Sequence, residues 1–419
     1  MARTFQCGFE FNDLTLFDSS TQTGTWTIGA SASATRTGSG AYGMRVTWDA
    51  GTAGLAYART QLTSTSSVGG GIFLNPGGGI TRMEMRWYYR TDYTSAANVQ
   101  RIVNASPVAV TVFGSARKVR LGGDTTTDSS VGLTASTWYR FHLYIDVDGS
   151  GNGFIYLTVY PENSTNAIFS ISNTLTGASL IATIDVGITS SGIKNITQTG
   201  AQNHDFDDIA INDNTAYGNN VHLAGTTRMG GGSTLAAHYP TSDVAGGTWI
   251  PLGGGTHFSE VDETGGSDGD TSYVNTVTGA TLHLDKYNHT AYGGSDTPVS
   301  VVVQAVHKAH TAGGGGADTN HRVGMYDTGN LDVAMLGIGD TYGYRAAIVG
   351  EQTGGGALTT SWYDSTAKYL IRKDTNIGGL NDKRVTLVRA EVEDDDGLKW
   401  RSLPHQPPTT RAMRGLIGR

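Results

Sequence analysis

Residues 82–90 read Arg-Met-Glu-Met-Arg-Trp-Tyr-Tyr-Arg. In this run a period of two places Met83, Met85, Trp87 and Tyr89 on one face of a strand, whereas a helical period would scatter them around an axis. Outward from it, glycine sets the punctuation: it fills 59 of the 419 positions and tolerates the positive φ angles that tight turns demand. Spacers such as Gly69-Gly70-Gly71, Gly77-Gly78-Gly79 and Gly122-Gly123-Asp124 read as turns and loops. Short alternating runs separated by glycine predict an all-β chain.

The same signature recurs at Thr25 to Ile28, Gly43 to Trp48, Val108 to Phe113, Val119 to Leu121, Trp138 to Val147, Phe154 to Tyr160 and Phe206 to Asn212. In Trp138 to Val147 one face carries Tyr139, Phe141, Leu143, Ile145 and Val147, and the other carries Arg140, His142, Tyr144 and Asp146, as in a half-buried sandwich strand. The turn after it feeds Phe154 to Tyr160 and makes a hairpin. Later strands are expected at Thr248 to Leu252, Val299 to Ala309, Val323 to Tyr326, Val333 to Ile338, Tyr344 to Val349 and Arg384 to Val392. Leu235 to His238 is the one candidate for a helical turn. A glycine-rich linker at Arg228 to Gly232 puts a boundary near residue 225, so the expected units are 1–225, 226–397 and a tail, 398–419.

Composition excludes several classes. Hydrophobic residues make up 38%, enough for ordinary cores, but no run of about 18 apolar residues exists to span a bilayer. Gln6, Glu10, Asn12 and Asp13 interrupt the start where a signal peptide needs an apolar stretch, so secretion by that route is not expected. Cys7 is the sole cysteine, which rules out an intrachain disulfide and suggests folding in a reducing cytosol. A formal net charge of −8 argues against nucleic acid or anionic membrane as partners.

That charge is uneven. From Leu398 onward Lys399, Arg401, Arg411, Arg414 and Arg419 stand without an acidic residue, directly after Glu391, Glu393, Asp394, Asp395 and Asp396. With Pro404, Pro407 and Pro408, this basic tail has no period suited to helix or strand. It is expected to extend as an arm over an acidic surface of a neighbouring subunit, and its five basic residues are the candidate interaction residues; a frayed terminus is the plain alternative.

Motifs that could carry chemistry fall short of their requirements. Asp146, Asp148, Ser150, Gly151 and Asn152 match the opening of a calcium loop, but Leu157 stands where a bidentate Glu belongs, so a hairpin turn is expected. Asp205, Asp207 and Asp208 are weak Ca²⁺ candidates, because alternation sends Asp207 and Asp208 to opposite faces unless a bulge intervenes. The glycosidase pattern Glu-x-Asp-x-x-Glu begins at Glu260 and Asp262 and fails at Gly265; Glu391, Glu393 and Asp396 have the spacing but read as an acidic turn. His307 and His310 point oppositely in a strand, which removes a zinc pair. Glycines 313–316 lack the Lys-Ser/Thr of a phosphate loop, and no nucleophile-elbow serine occurs. The seven tryptophans could stack on sugars, though strand tryptophans are mostly core. No catalytic residues and no cofactor are expected, and the chain reads as a contact protein, not an enzyme.

The segments STWYRFHLYIDVDGSGNGFIYLTVY (136–160) and FDDIAIN (206–212), with FQCGFEFNDLTLF (5–17), resemble the laminin-G-like, concanavalin-like jelly roll. FSEVDETGGSDGDTSYVNT (258–276), then VSVVVQAVHKAH (299–310) and the region around Arg384 to Glu393, are similar in order and style to the second sandwich of a group of tailed-bacteriophage virion proteins. The resemblance implies two β-sandwich domains and a structural protein of the virion, capsid-decorating or tail-associated. It would be made in the host cytoplasm, form a homo-oligomer and dock on other virion proteins. The alternative it implies is a glycan-binding adhesion module at the host cell surface.

Overall fold

The computed structural model describes residues 2–17, 19–36, 40–48, 54–61, 82–92, 99–105, 108–148, 150–164, 166–177, 181, 183–189, 202–213, 235–263, 270–276, 282–293, 297–309, 321–335, 342–374 and 383–395. The first half supplies fifteen strands. They are β1 (Ala2–Cys7), β2 (Ser19–Gln22), β3 (Trp26–Ser31), β4 (Gly43–Trp48), β5 (Ala56–Gln61), β6 (Arg82–Thr91), β7 (Val99–Ala105) and β8 (Val108–Phe113). There follow β9 (Lys118–Gly122), β10 (Thr126–Gly132), β11 (Tyr139–Val147), β12 (Gly153–Pro161), β13 (Phe169–Leu175), β14 (Thr183–Ile188) and β15 (Gln202–Asp213). An eight-stranded sheet runs β13-β12-β11-β6-β15-β4-β3 with β1 also on β15, and a seven-stranded sheet runs β10-β9-β8-β7-β14-β5-β2. All pairings are antiparallel.

The alternation of residues 82–90 sets how these sheets meet. Met83, Met85, Trp87 and Tyr89 are fully buried in one core with Phe141, Leu143, Ile155 and Val186. Phe141 lies opposite Trp87 in the ladder, and their rings stack at 5.0 Å. The chain is an all-β protein of packed antiparallel sheets, as the period of two predicts.

The second half adds β16 (Leu235–His238), β17 (Pro240–Asp243), β18 (Ile250–Pro251), β19 (Val274–Asn275), β20 (His283–His289) and β21 (Thr297–Ala309). It ends with β22 (His321–Tyr326), β23 (Asn330–Ala334), β24 (Gly343–Val349), β25 (Lys368–Lys373) and β26 (Lys383–Asp395). A six-stranded sheet, β18-β19-β26-β21-β24 with β16 on β26, packs on a five-stranded one, β17-β20-β25-β22-β23, around Trp249, Tyr287, Met325, Tyr369 and Val388. The six-stranded sheet is covered on both faces. Val301, Val303 and Ala305 of β21 enter this second core, while Val302, Ala346 and Ile348 join the first. A strand buried on both sides reads as an unbroken apolar run, which is what Val301-Val302-Val303 is.

Two local expectations are corrected. Leu235–His238 is a strand on β26 and not a helical turn: a lone turn fixes several backbone dihedrals for one hydrogen bond, whereas the edge of β26 offers a ready ladder. Residues 391–395 are the end of β26 and not a turn. The boundary near residue 225, the linker at 228–232 and the tail at 398–419 lie outside the described residues. Among the described residues no helix is long and apolar enough to cross a membrane.

Candidate functional site

The polar face of the β6–β11–β12 ladder gathers a row of charged and aromatic side chains. Cross-strand register sets Tyr144 between Glu84 and Tyr156, His142 between Arg86 and Thr158, and Arg140 between Tyr88 and Tyr160. Alternation alone would leave this face in solvent. Instead Glu84, Arg86, Tyr88, Arg140, His142, Tyr144 and Tyr160 are all buried. Arg140 donates to the carbonyl oxygens of Ser164 at 2.9 Å and Glu162 at 3.5 Å and lies 4.8 Å from the centre of the Tyr160 ring. Burial pulls its pKa down from the usual arginine range.

At Arg86 the group across the face belongs to the second half of the chain. Strand β26 sends Val385, Val388, Ala390 and Val392 into its own core, so the opposite face carries Arg389, Glu391 and Glu393. Each of the three engages the first sandwich. Glu393 accepts from Arg86 at 2.7 Å and from Ser300 at 3.0 Å. Glu391 accepts the backbone N–H groups of Gly8 at 2.9 Å and Glu10 at 3.1 Å. Arg389 donates to Gln304 at 2.6 Å and to Asp13 at 2.8 Å, with its guanidinium 3.8 Å from the Phe11 ring centre.

Burial dominates the electrostatics of this seam. It pushes Glu391 up to about 8, with the nearby Glu10 adding to the rise. Burial likewise pushes Glu10 up to about 7 against hydrogen bonds from the backbone N–H groups of Ala41 and Tyr42. These two carboxyls are thus held as neutral acids into the neutral range, where an exposed glutamate would be charged.

The calcium candidates lie beside the seam on β15. The bulge that joint chelation would require is present between Asp207 and Ala210, with Asp208 at φ +43°. It brings both carboxylates to one residue, Arg36, Asp208 to its guanidinium and Asp207 to its backbone. Asp207 accepts the Arg36 backbone N–H at 3.1 Å, and Asp208 takes the Arg36 side chain at 2.7 Å through Nε and again through Nη2. Burial works against the Arg36 charge and Asp208 outweighs it, holding that pKa above its ordinary value. Asp205 is clamped separately, by Arg45 at 2.7 Å and Arg90 at 2.6 Å. Among the described residues no group of three or more His, Cys, Asp or Glu side chains is arranged to hold a metal ion.

Other sequence candidates disperse. Asp148 accepts from the backbone of Ser150 and Asn152, closing the β11–β12 hairpin. Glu260 sits in a single 3-10 turn and accepts from the Tyr273 backbone at 3.3 Å. His307 is buried in β21, and His310 lies outside the described residues. Trp26, Trp87, Trp138, Trp249 and Trp362 are buried; the side chain of Trp48, and Trp400 altogether, lie outside the description. Lys399, Arg401, Arg411, Arg414 and Arg419 also lie outside it. Apolar periodicity does not mark the seam residues; their signal in the sequence is the charged alternate face of two separate strands, Glu84-Arg86 and Arg389-Glu391-Glu393.

No known family matches this sequence, and no curated protein does. Solved structures it is similar to include an endo-β-1,4-glucuronan lyase from Trichoderma reesei, at 14% identity over 51% of this chain and 97% of that one with a TM-score of 0.36. A PL-14 alginate lyase from Aplysia kurodai has 10% identity over 47% and 91%, with a TM-score of 0.32. Arcelin-5, a lectin-like defense protein from Phaseolus vulgaris, has 10% identity over 46% and 96%, with a TM-score of 0.26. The expectation that the chain is not an enzyme is corrected here: lyases stand among these distant likenesses, so the fold gives no ground for excluding catalysis.

Proposed function

We propose that this chain is a structural contact protein of a tailed-bacteriophage particle, acting as a homo-oligomer of rigid double-sandwich subunits that dock on other virion proteins. The seam carries this reading. Independent modules on a tether need no such junction, whereas Arg86–Glu393, Glu391 with the 8–10 backbone, and Arg389–Asp13 bind the two halves into one body. A body of this kind transmits load and presents fixed surfaces, which suits a particle component. The basic arm from Leu398 is proposed to cross onto the neighbouring subunit. Mass spectrometry of gradient-purified particles from the source of this sequence tests the role: recovery of the chain in intact particles supports it, and its absence overturns it. Deleting 398–419 should weaken incorporation and leave the sandwiches folded.

A glycan-binding adhesion role is the second reading, supported by one aromatic patch. Phe154 is 39% exposed, and its ring centre lies 5.7 Å from that of Tyr144 at the outer end of the polar lattice. Sugar faces stack on exposed rings of this kind. A glycan array with the full chain and Phe154→Ala tests it, and an identical array profile for both proteins counts against the patch.

A further inference from the structure

We propose that a cleft in the second sandwich, built around His257 and Asp285, is a binding subsite for one neutral sugar ring. The proposal rests on the glycan reading and deepens it by naming a site remote in sequence from Phe154. The cleft has a volume of about 230 Å³ and is formed by the 243–247 segment with His257, Asp285 and Lys286. Its size falls below the roughly 300 to 1,000 Å³ of pockets for drug-sized ligands, so it suits a single ring.

The imidazole is built in, not incidental. His257 Nδ1 lies 2.6 Å from Asp285 Oδ2, and the Asp285 carboxylate already accepts the backbone N–H of Thr248 at 2.7 Å, that of Trp249 at 3.0 Å and the Tyr287 hydroxyl at 3.1 Å. Asp285 is therefore the acceptor and Nδ1 the donor. In the neutral ring this leaves the lone pair on Nε2, which has no partner among the described residues. The backbone of the histidine is fixed as well: Asp243 accepts the N–H of His257 at 3.0 Å and of Phe258 at 2.7 Å. Asp285 is sealed from solvent while the His257 side chain keeps 20% of its exposure and lines the cleft, so the buttress is buried and the ring stays accessible.

Glycine shapes the wall. A Cβ at Gly247 would stand 2.8 Å from Asp285 Oδ1 and 2.9 Å from His257 Nδ1, so the pair forms only against a residue without a side chain. Gly246, at φ +93°, turns the chain there. The Lys286 backbone carbonyl accepts the Val244 N–H along the cleft wall, while its ammonium turns to the face of β20 opposite Asp285, 4.3 Å from the centre of the Tyr326 ring.

These groups choose among ligand classes. A lone-pair acceptor backed by a carboxylate calls for a donor, which a hydroxyl supplies. Asp243 and Asp285 set two carboxylates against a phosphate, sulfate or carboxylate ligand, and the Lys286 ammonium lies on the other face of β20. A metal ion lacks the donor set, since no group of three or more ligating side chains is found among the described residues. A ring bearing several neutral hydroxyls fits what remains, one of them donating to Nε2.

The test is saccharide titration of the full chain followed by ¹H–¹⁵N NMR of the imidazole nitrogens, using methyl glycosides of glucose, galactose, mannose and N-acetylglucosamine. At least one glycoside should move the His257 Nε2 signal with a millimolar dissociation constant. His257→Ala should weaken it about tenfold, the loss of one well-placed hydrogen bond with its positioning, whereas Lys286→Ala should leave it unchanged, each with unchanged circular dichroism and melting. Gly247→Ala serves as a cavity-filling check and should abolish binding; if it misfolds, the two other variants decide. No response to any glycoside, equal affinity for wild type and His257→Ala, or a response to inorganic phosphate or Zn²⁺ in place of sugar would overturn the proposal. Failure here with a Phe154-dependent array signal intact would remove this subsite alone.

Discussion

Glu393 accepts from Arg86 at 2.7 Å across the seam between the two sandwiches, and the side chains are 1% and 0% exposed. A buried ion pair adds little net stability, because desolvation offsets the attraction, but breaking it by removing one partner is costly. Glu393→Ala should lower the unfolding free energy by about 3 to 5 kcal/mol in urea denaturation. The double variant Arg86→Met/Glu393→Leu should recover much of that loss. Equal losses in the single and double variants would show that the pair itself is not what matters there.

Glu391 and Glu10 make the seam sensitive to alkali. Their folded values, about 8 and about 7, lie above the ordinary 4.5 of an unfolded glutamate, so between these limits the folded chain binds more protons than the unfolded one. Stability is then full below pH 4.5 for these groups and declines as pH rises through 7 and 8. The loss by pH 9 should be on the order of 2 to 4 kcal/mol, read from melting temperature against pH. Glu391→Gln keeps an acceptor for Gly8 and Glu10 and removes the charge, so its profile should be flatter between pH 6 and 9.

Two histidines act in the opposite sense. Burial lowers His204 to about 4, where its Nδ1 meets the Tyr89 hydroxyl at 2.7 Å, and lowers His289 to about 4, where its ring packs between Tyr363 and Tyr369. Their folded values lie below the ordinary 6.5, so the unfolded chain binds more protons and stability falls as pH drops from 6.5 toward 4. His289→Phe, which keeps the stacked ring without a titrating nitrogen, should hold its melting temperature better than wild type at pH 5.

The apolar half of this architecture was legible in the sequence, and the polar half was not. Met83, Met85, Trp87 and Tyr89 announce a core face by period alone, and the structure buries all four. Nothing in that period says that Glu84, Arg86 and Tyr88 are also buried: the strand that meets Arg86 lies some 300 residues away. Hydrophobic patterning records what leaves water within one sheet; complementary charge between two distant strands is a pair property, invisible until both registers are known. His257 is silent in the sequence for the same reason, since Asp285 joins it only through the packing of β20 against the turn that follows β18.

Asp208 combines an unusual backbone with a buried charge, and the two can be separated. At φ +43° an aspartate or asparagine is tolerated better than most residues, so Asp208→Asn leaves the bulge intact while taking the carboxylate from Arg36. The loss should be about 2 to 4 kcal/mol, since the guanidinium stays buried beside a neutral amide and an Asp207 whose own pKa is pushed up by burial and by Asp208. Asp208→Ala should cost more by about 1 kcal/mol, because it adds left-handed strain to the same charge loss. If instead Ca²⁺ raised the melting temperature of wild type and not of Asp208→Asn, these carboxylates would be exchanging Arg36 for a metal, and the calcium reading of Asp205, Asp207 and Asp208 would return.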